Sequence, residues 1–434
     1  MTPPAPEPPS PPPLPALAEG ARLRRLSEVK SALRHRLNLV NASYISATHL
    51  LALLAWVPFL YAPEGFRGVM GLYLLCHAAL ALLSTTAYAH RLVSHGATKR
   101  ISWPVHVLFG YIGQTLAAQG SLASWAGKHR VHHAVDGHAR HDEDPYSAVW
   151  FESAWRNFVW SHVLCYFFDS PHEEGVYAER AEAVLKQNGV MRLQHRYYVV
   201  FLLVMNFLTP LALGALVGGS LWAGLCLMWT AVLACVVVQN VTWSVNSFTH
   251  MWGAPAAKSS AKNNYVWLLP LGEGNHHADH HDAPTDYRNG FGLLGWLSDP
   301  TRYVLLSLRA LRLVGPLQRA TRATELRVLA ERRLATLAAL AQRSPAAARE
   351  ALGGYEERLM SLKARALEHA QRAEQLQRER VRLLSRRASM SRAQLKEQLF
   401  VLKVEWRRAR SELRHAWEMF LIEALLAGRA LRGA

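Results

Sequence analysis

A chain of 434 residues, half of it apolar and with a net charge of +17, is long enough for a membrane domain with an appendage or for two or three soluble domains. The charge is concentrated: residues 301–434 hold 28 of the 49 Lys+Arg and 13 of the 32 Asp+Glu, so the first 300 residues are almost neutral. Cys76, Cys165, Cys226 and Cys235 lie in or near apolar stretches without metal-like spacing, which sets aside a disulfide framework.

In chain order, residues 1–25 contain PPAPEPPSPPPLPALAEG, which reads as a disordered proline-rich tail and not as a signal peptide. Two hydrophobic hairpins follow. The first pairs residues 44–62 with 68–89 across APEGFRG, and the second pairs 195–216 with 219–241 near VGGS. Pro58 and Pro210 are expected to kink their helices. The apolar segment ISWPVHVLFGYIGQTLAAQG, residues 101–120, contains Pro104, His106, Gly110, Gly113 and Gln114, and is expected to be an interfacial or partly embedded helix rather than a fifth span. With four crossings, the N-terminus, the 90–194 loop and everything after 241 share one side. Positive-inside bias makes that side cytoplasmic. A fifth crossing would divide the histidines between compartments.

After residue 304 the pattern is amphipathic helix. LRVLAERRLATLAALAQR is followed by a break at RSPAAAREALGG. A long helix then places Leu359, Leu362, Ala366, Ala370, Leu376, Leu383 and Leu384 near one stripe. RAQLKEQLFVLKVEWRRARSELRHAWEMFLIEALLAG continues in the same style. The heptads are imperfect, so a packed helical hairpin or short coiled coil is expected. The expected fold is therefore an all-α integral membrane protein. Four transmembrane helices are capped by a histidine-rich helical domain, with 40–300 as the membrane domain and 301–434 as a basic helical extension.

Histidine is the chemistry-bearing residue. HRLVSH gives His90 and His95, HRVHH gives His129, His132 and His133, and NSFTH gives His250 one turn beyond Asn246. NHHADHH gives His276, His277, His280 and His281, of which the last three repeat the spacing of HRVHH. Residues three and four apart share a helical face. Lone histidines such as His106, His138, His162, His369 and His415 read as ordinary hydrogen-bonded residues. The clusters do not, because burying so many rings without metal is costly and neutral imidazole binds first-row transition metals well. Nine ligands exceed one tetrahedral zinc site and suit two metals of higher coordination number.

HRLVSH, AAQGSLASWAGKHRVHHAVDGHARHDEDPYS, NSFTHMWG and LGEGNHHADHHDAP, in this order, resemble the membrane fatty acyl desaturases, notably the stearoyl-CoA delta-9 type. The resemblance covers about residues 40–300. It implies a nonhaem di-iron centre that uses O2 to remove two hydrogens from a long-chain fatty acyl-CoA. The implied iron ligands are His90, His95, His129, His132, His133, His250, His277, His280 and His281, with Asn246 near one iron through water. His276 is the alternative to His277: it keeps the family's distance from GEG, whereas His277 keeps the local gap to the terminal pair. Asp136, Asp144 and Glu273 are either supports for ligand rings or ordinary acids. Lys99, Arg100, Lys128 and Arg130 are either contacts for a coenzyme A headgroup or interfacial cations. SHVLCY lacks the Gly-Trp ending common in close relatives, which weakens transfer of fine substrate specificity.

Electrons are expected from NAD(P)H through a separate reductase and a cytochrome-like or ferredoxin donor, because the chain has no fused haem module or GxGxxG site. The rival enzyme readings are an acyl-lipid desaturase and a fatty-acid hydroxylase. The non-enzyme rival is a membrane scaffold whose basic helices recruit a donor, bind anionic lipid or join copies into a homo-oligomer. Nucleic-acid binding is disfavoured, since no recognisable module accompanies the charge.

Overall fold

The structure is a computed structural model that describes residues 23–25, 27–29, 34–136, 143–146, 148–256, 259–266, 273–343, 346–385 and 390–433. Nearly all of the proline-rich leader, and His138, lie outside these residues. Chain contacts divide the molecule into two units. The first comprises residues 1–95, 101–252 and 266–274, and the second 96–100, 253–265 and 275–434.

Among the described residues of the first unit, four helices are long and apolar enough to cross a membrane: α1 (Leu39–Leu60), α2 (Phe66–Ser94), α4 (Tyr198–Gly218) and α5 (Leu221–Met251), with the shorter α3 (Leu122–Val135) between the pairs. Their positions match the two hairpins expected from hydropathy. α1 is interrupted at Leu54–Ala55, four residues before Pro58, whose missing N–H cannot hold the Leu54 carbonyl. In α4 the winding loosens to a π-type turn at Val204–Leu208, just before Pro210. The α4–α5 turn places Gly219 at φ 65, a left-handed conformation that favours glycine, and Ser220 caps α5 by accepting from the Ala223 amide (3.1 Å).

α5 is the central span. It packs on α1, α2 and α4, whereas the other three leave most of their surface for lipid. Close approach to α4 depends on absent side chains: a Cβ at Gly224 would sit 2.4 Å from the Leu211 carbonyl oxygen.

Residues 103–116 form a helix that is not one of the four span candidates. Its C-terminal carbonyls end inside the bundle, where water cannot satisfy them. Side chains from three spans do so instead. Asn206 Nδ2 donates to Thr115 O (3.0 Å), Gln239 Nε2 donates to Ala118 O (2.7 Å), and His77 Nε2 lies 3.1 Å from Leu116 O.

The second unit contains α6 (His277–Asp282), α7 (Pro300–Ala310), α8 (Arg322–Arg343), α9 (Ala346–Ser385) and α10 (Arg392–Gly433). The last three pack together around Leu337, Leu359, Leu362, Phe420, Ala424 and Leu431. Leu359, Leu362, Ala366, Ala370 and Leu376 are buried as the stripe requires, but Leu384 is exposed, because the stripe drifts off the contact face near the helix end. The expected break is also shorter. α8 ends at Arg343 and α9 resumes at Ala346, running through Gly353 and Gly354. Tertiary packing along a 40-residue helix overrides the cost of about 1 kcal/mol per glycine.

Two substitutions test these readings. Asn206→Leu strands the Thr115 carbonyl in an apolar bundle and should destabilise the membrane unit by about 1–3 kcal/mol in detergent-solubilised unfolding. Phe420→Ala should cost the helical extension about 3–5 kcal/mol, read as earlier loss of helical circular dichroism on heating.

Candidate metal centre

The end of α2 carries the first histidines. There α-helical winding widens to a π-type turn over Ser84–Ser94, and the His95 amide donates to the His90 carbonyl five residues back (3.2 Å). In an α-helix five residues advance about 500°, which would leave the two side chains about 140° apart. The wider winding brings them together, with ring centroids 5.0 Å apart. Arg130 closes this helix end by donating to Val93 O (2.7 Å) and Ser94 O (3.0 Å).

α3 brings the next three. Ser121 starts it by accepting from the Ser124 amide (3.3 Å), and the helix stops at Asp136, where the backbone turns extended. His129 and His133, one turn apart, face the α2 pair. His95 and His133 centroids lie 4.3 Å apart, and the Nε2 atoms of His95 and His129 lie 2.9 Å apart. His90, His95, His129 and His133 each offer a ring nitrogen, all within 4.8 Å of one another. His132 turns the other way and meets His250, at the end of α5, with centroids 4.9 Å apart. Among the described residues, the first unit therefore holds two candidate ligand groups, of four histidines and of two.

In the second unit, α6 carries His277, His280 and His281, the first two buried and the third half-buried. His277 and His281, one turn apart, offer nitrogens within 4.8 Å of each other. His276 is engaged elsewhere: its Nε2 lies 2.9 Å from Ser298 Oγ, its Nδ1 lies 3.7 Å from Asp279, and its ring meets Tyr265 edge-on.

What each ring does with its second nitrogen decides whether a metal fits. His90 Nδ1 donates to Glu273 Oε2 (2.8 Å) and His132 Nδ1 to Asp144 Oδ1 (2.9 Å), while His250 Nδ1 lies 3.8 Å from Asp136. Tying Nδ1 to a carboxylate leaves the Nε2 lone pair for a cation, the usual arrangement around metal-bound histidine. Burial opposes protonation of His132, but Asp144, with Asp136 beyond it, outweighs burial and holds its pKa above the ordinary value. Glu273 also accepts from Arg91, a fully buried arginine that sequence reasoning overlooked. Its one sequence signal is a guanidinium beside His90 where an apolar span ends. Glu273 adopts φ 73, uncommon for a residue with a side chain and frequent where function fixes the backbone. The clustered imidazoles, two of them tied through Nδ1 to a buried carboxylate, form a donor set that fits first-row metal ions.

The remaining candidates are placed as follows. Asn246 Nδ2 donates to Tyr166 Oη (2.9 Å). Lys128 pairs with Glu173 and lies over the Tyr177 ring. In the second unit, Arg100 reaches the Arg312 carbonyl (3.4 Å).

A cavity of about 400 Å³ opens beside the histidines within the first unit. Its walls include Tyr44, Trp125, Lys128, Tyr146, Tyr166 and Trp243. Trp125 stacks on His129 at 5.0 Å and 15°, and Tyr146 meets His132 edge-on at 5.8 Å, so one wall of the cavity is also the packing of both histidine groups.

The fatty acid desaturase family profile matches residues 69–295. An acyl-CoA desaturase of Cyprinus carpio is 34% identical over 254 residues, covering 57% of this chain and 72% of the relative. Stearoyl-CoA desaturase 5 of Bos taurus is 32% identical over 285 residues, covering 64% and 79%. An sn-1 stearoyl-lipid 9-desaturase of Anabaena variabilis is 27% identical over 261 residues, covering 59% and 86%. With four apolar spans and clustered buried histidines in place, the chain belongs to the fatty acid desaturase family and is an oxidoreductase of fatty acyl chains.

Proposed function

We propose that the protein introduces a cis double bond at delta-9 into long-chain fatty acyl-CoA, using O2 and electrons from an external donor. The observation that carries this reading is the cavity whose wall residues Trp125 and Tyr146 also pack the histidine groups. His90, His95, His129, His132, His133, His250, His277, His280 and His281 are the proposed ligands of two irons. His277 is preferred over His276, which is committed to Ser298. Bound iron would supply the O2 and one-electron chemistry that taking hydrogen from an unactivated methylene requires.

The chain's own residues place the hydrocarbon. Burying each methylene contributes about 0.8 kcal/mol, so the cavity holds the acyl chain by apolar contact and selects the reacting carbons by shape. Gln119 and Gln239 line it together with Trp243, and Gln119 Nε2 donates to Thr242 Oγ1 (3.0 Å), tying the end of the embedded helical segment to α5. Tyr166 stacks on Trp243 at 4.7 Å while holding Asn246, the proposed neighbour of metal-bound water. Among the candidate headgroup cations, Lys128 lines the cavity, and Lys99 is the other proposed phosphate contact. Arg100 and Arg130 are turned to backbone carbonyls.

The active site and both termini are proposed to face the cytoplasm, where a cytochrome-like or ferredoxin donor and its NAD(P)H reductase would dock. Residues 40–300 are proposed as the desaturase domain and 301–434 as an extension capable of joining copies. The Anabaena variabilis relative, whose name specifies a stearoyl-lipid, favours one second reading: an acyl-lipid substrate.

Purified protein with reduced donor should convert stearoyl-CoA to a monounsaturated product in air and not under argon, as read by mass spectrometry of the derivatised acyl chain. A hydroxylated product, or turnover of intact phospholipid alone, would overturn the assignment. Asp144→Asn weakens the hold on His132 and should lower metal affinity about 10–100-fold, measured by Fe(II) titration, while leaving acyl-chain binding unchanged.

A further inference from the structure

α6 has six residues, too few to be a stable helix by itself, yet it carries three of the proposed ligands. Successive helical residues lie about 100° apart, so His277, His280 and His281 share an arc of about 100°. Asp279 and Asp282 point from the opposite side. Both carboxylates are grasped by one residue, Arg332 of α8. Its Nε and Nη2 donate to Asp282 Oδ2 at 2.9 and 2.8 Å, and its Nη1 donates to Asp279 Oδ1.

Asp279 has further work. Its Oδ1 accepts from Asn263 Nδ2 (3.0 Å) and its Oδ2 from the Phe291 amide (3.1 Å). Asn263 Oδ1 in turn accepts from the Ala278 amide (2.9 Å), at the start of α6. A second buried ion pair anchors α8 about two turns earlier, where Arg288 Nη2 donates to Glu325 Oε1 (2.6 Å) while also holding Asp286 (2.6 Å). Arg332 lies beyond residue 295, where the family match ends.

We propose that Arg332, supplied by the C-terminal extension, is a positioning residue for the metal site: it fixes the turn of helix that aims His277, His280 and His281. The inference rests on the reading of those histidines as ligands. Without the guanidinium, two buried carboxylates three residues apart repel each other and lose the cation that joins them. The extension is then part of the site, and a chain cut at residue 315 loses Arg332 with it.

The test uses the full chain, purified metal-free and titrated with Fe(II) alone. Arg332→Gln should weaken Fe(II) binding about 10–100-fold and speed amide hydrogen exchange across residues 277–282. Arg332→Lys, which keeps the charge but not the fork, should fall between. Arg372→Gln, which breaks the exposed pair with Glu405 between α9 and α10, should match wild type in both readouts. Wild-type affinity together with wild-type exchange in Arg332→Gln overturns the proposal. If that variant does not fold, Arg332→Lys and Asp282→Asn decide in its place, and wild-type behaviour in both overturns it equally. Failure of the wild-type chain to bind Fe(II) would instead remove the reading of the histidines as ligands, and the exchange comparison would still decide whether Arg332 holds α6.

Discussion

An imidazole has two nitrogens and a metal takes one. In a buried site the other is costly to leave without a partner. The arrangement of the first unit follows from that constraint. Glu273, Asp144 and Asp136 come from different chain segments, and each stands behind a different histidine. Every such acid brings a buried negative charge that itself needs compensation. Arg91 answers Glu273, and the Tyr146 amide donates to Asp144 Oδ1 (3.0 Å). The rings are thus oriented before any cation arrives, which reduces the reorganisation that binding requires.

The bilayer imposes the same accounting on the backbone. Residues 103–116 enter the bundle as a helix and stop there, and the freed carbonyls at Thr115, Leu116 and Ala118 are met by Asn206, His77 and Gln239. In a helical membrane protein, polar residues in spans often mark transport paths. These three instead hold a chain end in place. Just after it, Ser121 starts α3, so the polar side chains of the spans determine where the histidine helix begins.

Hydropathy and spacing made the four spans, the histidine boxes and the buried stripe Leu359–Leu376 legible before any coordinates. What they missed has a common physical character. The π-type winding of α2 obeys no apolar period, yet it is what brings His90 and His95 to one face. The choice between His276 and His277 rests on spacing alone in the sequence, whereas in the fold His276 bonds Ser298, 22 residues away. The sequence leaves Arg91 unnoticed and shows Arg332 only as part of a basic segment, because it displays charge but not the acid, 182 or 53 residues distant, that pairs with it.

The basic extension holds cations of both kinds. Its net positive charge suggests a lipid- or partner-facing surface, and exposed cations such as Arg372, Arg378 and Arg408 suit such a role. Exposed pairs of this kind contribute little to stability and are screened by salt. Arg332 differs: it is largely enclosed, it contacts two buried acids, and burial disfavours its charge less than Asp279 and Asp282 favour it. Removing one partner of such a set leaves unpaired charge in a low-dielectric interior, a much larger penalty than losing a surface contact. Within one positively charged segment, then, the exposed cations add to the net charge, while the enclosed one is held in a fixed geometry by two acids.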